Sequence, residues 1–146
     1  MAKSPHNRRR QQLVAQFRRA AWQRLEEATF LLERGSYFTA SVYLGGYAVE
    51  CILKALILAN DPPSVDPEVT VKESVAAGAK SHKTDYLKAQ LQRRQVSIPS
   101  RVNTCLLQVN WWETDLRYSV KRLSRQSAMA FLDTTREIVQ WANGRL

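Results

Sequence analysis

The stretch Tyr37–Ala59, YFTASVYLGGYAVECILKALILA, decides the fold. It is apolar nearly all round: Phe38, Val42, Tyr43, Leu44, Tyr47, Val49, Ile52, Leu53, Leu56 and Ile57 leave it no polar face. A helix of this kind belongs at the centre of a bundle or in a bilayer. Length does not choose, because about 20 apolar residues suffice to span a membrane. Glu50 and Lys54 do choose, since each charge near a bilayer centre costs about 2.5–3.5 kcal/mol. A central helix of a helical bundle is therefore expected, with no membrane partner. Gly45 and Gly46 fall in its middle, where a glycine costs about 1 kcal/mol against alanine. A close approach by a neighbouring helix, which a side chain would block, accounts for them best.

Working outward, Leu13, Phe17, Ala21, Leu25, Ala28 and Leu32 recur at spacings of three and four. They predict one long helix from about Arg8 to Arg34. Gly35 stands where a helix end takes a left-handed residue, and Ser36 is the candidate N-cap of the next helix. Residues 1–7 read as a flexible basic tail. After the central helix, Asn60-Asp61-Pro62-Pro63-Ser64 is a firm stop. Residues 61–81 hold three prolines and no lasting period, which predicts a long loop with at most a short helical turn. A modest helix follows over about 83–93, and Pro99 opens another with Val102, Leu106, Leu107 and Val109 inward. The last helix runs from about Ser124 to Asn143. No run alternates with period two. The fold class is all-α: an antiparallel four- to five-helix up-and-down bundle, one domain over residues 8–146.

Composition narrows the function. The 146 residues carry a net charge of +9 and are 45% hydrophobic, which excludes wholesale disorder and suits one domain. Such an excess favours an anionic partner. Basic residues at the start are followed by no apolar run, so no secretory signal is expected. Two cysteines, Cys51 and Cys105, make no disulfide framework, and both read as small buried hydrophobes with reduced thiols in a cytoplasmic protein. The two histidines, His6 and His82, and the separated cysteines make no metal site, and no Gly-rich phosphate loop is present, so no cofactor is expected.

Three features carry candidate chemistry. Glu50 and Lys54 stand four apart in the favourable order for a helical ion pair, worth a few tenths of a kcal/mol. In apolar surroundings such a pair invites a further partner, and Arg117 is the candidate, although a ligand would serve as well. His82 opens the third helix beside Lys80, Ser81 and Lys83 and reads either as a cap or as the guard of a site. Trp111-Trp112-Glu113-Thr114-Asp115-Leu116-Arg117-Tyr118 packs two Trp, an Arg and a Tyr into eight residues. It could stack on a base and clamp a phosphate, or lock helices together.

These residues also carry a family resemblance. Leu25, Ala28, Leu31-Leu32, Gly35, Tyr37, Ala40, Leu44, Gly46 and the run Tyr47-Ala48-Val49-Glu50-Cys51-x-Leu53-Lys54-Ala55-Leu56 resemble the HEPN domain (higher eukaryotes and prokaryotes nucleotide-binding). His82 with Leu87 and Leu91, Trp112-x-x-x-Leu116-Arg117-Tyr118, and Trp141 extend the likeness over about residues 18–141. The resemblance implies a helical bundle that dimerises. It also implies a role as an RNA-cleaving toxin, as the partner of a minimal nucleotidyltransferase, or as a non-catalytic nucleotide- or RNA-binding module. In nuclease members an Arg-x-x-x-x-His motif clamps phosphate and moves protons. Here Arg122 stands five residues after Arg117 and Trp141 five after Arg136, while Ala77 and Met1 stand five before the histidines.

The favoured expectation is therefore a non-catalytic module in a toxin–antitoxin-type system. It would bind nucleotide or RNA through Glu50, Lys54, His82, Trp112, Arg117 and Tyr118, as a homodimer. Two readings compete with it: a divergent ribonuclease with Arg117, His82 and Tyr118 as catalytic residues, and a structural partner subunit of a nucleotidyltransferase.

Overall fold

The computed structural model describes residues 4–146. Six α-helices form the bundle: α1 Pro5–Phe30, α2 Phe38–Ala59, α3 Pro67–Ala76, α4 Thr84–Arg93, α5 Ser100–Val109 and α6 Arg125–Asn143. Two 3₁₀ turns, Gly78–His82 and Thr114–Tyr118, link α3 to α4 and α5 to α6. No strand occurs among the described residues.

Cross-links fix the helix directions. Ser41, early in α2, donates its hydroxyl to the Ala28 carbonyl late in α1. Arg10, early in α1, donates to the Pro62 and Val65 carbonyls just beyond α2. Those two helices are thus antiparallel. Arg136 reaches Thr29, and Arg18 reaches Asn143, so α6 is antiparallel to α1. Arg101 pairs with Glu137, and Thr134 bonds to Gln108, which sets α5 antiparallel to α6.

α2 occupies the centre, as its all-round apolarity predicts. It packs on α1, α4 and α6, and Val42, Val49, Ile52, Leu53 and Leu56 are all but sealed from water. Full burial of such a side chain contributes roughly 1.5–3 kcal/mol. By length and composition α2 could also cross a membrane, but 67% of its most apolar stretch is buried inside the protein.

Three details differ from the sequence pattern. First, α1 begins inside the predicted tail. Ser4 accepts a hydrogen bond from the Asn7 N–H, and Pro5 takes the first helical position, where its missing N–H costs nothing. Met1–Lys3 lie outside the described residues.

Second, α1 does not end on a left-handed Gly35. It widens into a π-helical turn over Leu31–Gly35, and Ser36 takes the left-handed conformation (φ 53°). Ser36 is therefore the helix stop, and Tyr37 occupies the N-cap position of α2.

Third, the predicted loop over 61–81 contains α3. Asp66 caps it by accepting from the Glu68 N–H at 3.0 Å, and Pro67 is its first residue. The prolines that read as breakers include a helix starter. Below α3, buried Asp61 accepts from Thr70 and pairs at 2.8 Å with Arg94, which follows α4, so the ends of α2 and α4 are tied to α3.

Candidate functional site

Tyr43, Tyr47, Glu50 and Lys54 follow one another at i, i+4, i+7 and i+11, which puts them on one stripe of α2. The stripe meets the two 3₁₀ turns. At its lower end, one oxygen of Glu50 receives two partners: Lys54 Nζ at 2.6 Å and His82 Nδ1 at 2.8 Å. The Glu50 side chain is only 7% exposed, Lys54 17% and His82 33%. The second Glu50 oxygen has no hydrogen-bond partner. Two cation-forming groups on one buried carboxylate satisfy the demand that desolvation places on it. The predicted Glu50–Lys54 pair is present, and its third member is His82 rather than Arg117.

The next turn up is aromatic. Tyr43 and Tyr47 meet edge to face at 5.1 Å between centroids, their hydroxyls 3.4 Å apart. Buried Trp112 stands edge-on to Tyr47 at 5.0 Å and lies directly over Gly46. A Cβ on Gly46 would overlap the indole, so the close approach inferred for the glycines is real. At Gly46 the partner is an aromatic ring from the segment after α5, and at Gly45 it is Leu132 and Phe131 of α6. Burial, then the Tyr43 hydroxyl, then the Glu50 charge push the Tyr47 phenol well above its ordinary pKa. It stays protonated and does not act as a base.

At the top, Arg117 and Tyr118 are exposed on the 3₁₀ turn. The Arg117 guanidinium stacks over the Tyr118 ring at 4.7 Å. Its pKa is raised, first by the charge interaction with Tyr118 and next by hydrogen bonding to Tyr43. It therefore ends beside Tyr43, seven residues and roughly 10 Å of helix above Glu50, which is why the two do not pair.

Of the six predicted site residues, the fold brings Glu50, Lys54 and His82 into contact and sets Arg117 against Tyr118. Trp112 is buried and braces Tyr47, leaving the exposed platform to other rings. Tyr43 and Tyr47 were missed. Their spacing from Glu50 and Lys54 on the helix was the available signal.

The cysteines stand outside this chemistry. Burial, then the Glu50 charge, push Cys51 up to about 11. Cys51 is half-buried rather than sealed, which corrects its reading as a core residue. Cys105 is buried as expected, and burial together with its hydrogen bond to Glu137 raises it to about 11. Among the described residues no group of His, Cys, Asp or Glu could hold a metal ion.

Comparison with known proteins agrees with this architecture at the level of the family. No curated protein and no solved structure matches the chain. The HEPN domain model matches residues 14–145, nearly the whole of the bundle just described. On that match the chain belongs to the HEPN domain family, whose members are nucleotide- and RNA-related helical modules.

Proposed function

We propose that this chain is a non-catalytic HEPN module that binds nucleotide or RNA on the stripe from Lys54 to Tyr118. The observation that carries the proposal is the state of its polar groups. Lys54 and His82 are engaged by Glu50, and Tyr47 is held protonated. Arg117 and Tyr118 stand exposed and stacked at the surface. A guanidinium beside an open ring offers bidentate donors to a phosphate and a face to a base.

The test is titration of labelled nucleotides and short RNAs into the wild type and Arg117→Ala. Loss of a charge-assisted bidentate contact weakens binding by about tenfold or more. Because Arg117 is exposed, melting should be unchanged. Unaltered affinity, or a melted variant, overturns the assignment.

A specific contact favours one alternative. Glu50 on Nδ1 orients the His82 ring and leaves Nε2 for proton transfer, the arrangement a general acid–base needs. In that reading the chain is a divergent ribonuclease with His82, Arg117 and Tyr118 as catalytic groups. Incubation with total RNA decides: cleavage lost in His82→Ala supports it, and no cleavage by the wild type removes it.

The proposal includes a cytoplasmic homodimer and a nucleotidyltransferase partner. Exposed Phe30 and Tyr37 at the α1–α2 connection support self-association, which sedimentation would read directly. A nucleotidyltransferase gene beside this one would support the partnership.

A further inference from the structure

We propose that the cavity between α1, α2 and α3 is a binding site for a small amphiphile, a slender apolar chain ending in one carboxylate. The cavity measures about 320 Å³, at the lower end of ligand-binding pockets. Its body is apolar: Phe17 of α1, Ile57 and Leu58 of α2, and Val71 and Val75 of α3. Val75 stands at the rim, 75% exposed, beside a turn that Gly78 makes at φ 62°.

The polar groups sit unevenly. Lys54 and His82 line it close together, since both bind the same Glu50 oxygen. Glu50, which holds them both, does not line the cavity. Lys54 spends one of its three N–H groups on Glu50, and His82 spends Nδ1, so two ammonium N–H and the ring Nε2 remain for a ligand. Elsewhere in the cavity two hydroxyl protons are committed, Thr70 to Asp61 and Ser81 to the Gly78 carbonyl, which leaves the single hydroxyl of Ser74. A ligand rich in hydroxyls or ring nitrogens would bury them unpaired along the apolar wall. One anionic head at one end and hydrocarbon along the rest is the chemistry the walls match. When His82 carries its proton, the cluster has two cations against one carboxylate, and a single carboxylate head balances it.

The site shares Lys54 and His82 with the proposed function but does not depend on it, because Val71 and Ser74 on α3 lie outside the nucleotide-binding stripe. The experiment uses the full chain with sodium decanoate, decanol and acetate as probes, read by calorimetry and thermal shift. Decanoate should bind and raise the melting temperature, and acetate should do neither. Lys54→Met should weaken decanoate by about tenfold and leave decanol unchanged, the loss expected for one charged hydrogen bond. Val71→Trp and Ser74→Trp, each filling the cavity from α3, should abolish decanoate binding while leaving nucleotide or RNA binding intact. Addition of decanoate to the wild type should also move the imidazole resonances of His82 and not those of His6, a readout that needs no variant. Absence of decanoate binding, binding that survives both tryptophans, or unmoved His82 resonances overturns the site. Decanoate binding without nucleotide or RNA binding would overturn the proposed function alone.

Discussion

Gly46 shows how one residue is constrained from two directions. Within a helix, alanine is favoured over glycine by about 1 kcal/mol. Against Trp112 the same methyl would overlap a rigid buried ring, and overpacking of this kind costs about 1–3 kcal/mol. The clash is the larger effect, so Gly46→Ala should lower stability by roughly 1 kcal/mol, read as a shifted urea midpoint. Gly45→Ala meets a methyl of Leu132 at 2.7 Å, the far end of a flexible side chain, and should cost less. A Gly46→Ala protein as stable as the wild type would refute the role given to Trp112. The need for a close approach was legible in the sequence, because a Gly pair inside an apolar helix opens a notch that a packed core must fill. The identity of the approaching group was not, since Trp112 lies 66 positions along the chain. Glu50 repeats the pattern. Its bond to Lys54 follows from spacing on one helix, whereas His82 reaches it across 32 residues.

At the scale of elements, α3 is the part the sequence hid. Its apolar residues do not repeat strongly, and its start carries prolines. The positive signal was Asp66-Pro67-Glu68, an N-cap, a proline at the first helical position and an acid near the positive end of the helix dipole. The same grammar in Ser4-Pro5 starts α1 early. Asp66→Ala removes the cap and should destabilise α3 by about 1 kcal/mol. Amide exchange should then quicken over residues 67–76 while α1 and α2 stay protected, because the Asp61–Arg94–Thr70 contacts still hold the base of α3. Exchange that quickens equally everywhere would show that α3 does not open by itself.

Across the whole molecule, several of the 22 basic side chains are engaged by architecture. Arg10 donates to backbone carbonyls, Arg94 pairs with Asp61, Arg101 with Glu137 and Arg9 with Glu68. What faces a ligand is a smaller set headed by Arg117. The alkaline limit of stability is also a property of the whole fold. Cys51 and Cys105 keep their protons to about 11 when folded, against an ordinary 9.0. Their contribution is full below pH 9 and is lost as pH rises through 9 to 11, because the unfolded chain releases those protons first. Melting temperature should therefore fall over that range, and the Cys51→Ala/Cys105→Ala double variant should fall less steeply from its own starting value. Equal slopes would remove the thiols as the cause. The sequence by itself determined the helical class, the central place of α2 and the Glu50–Lys54 pair, because periodicity and i,i+4 spacing are local and the chain carries them wherever it folds. Only the tertiary structure decided that His82 completes the Glu50 cluster, that Trp112 is a buried brace and that Arg117 stacks on Tyr118 at the surface. The first two join segments distant in sequence, and the third, between adjacent residues, lies at the surface only because of how the helices pack.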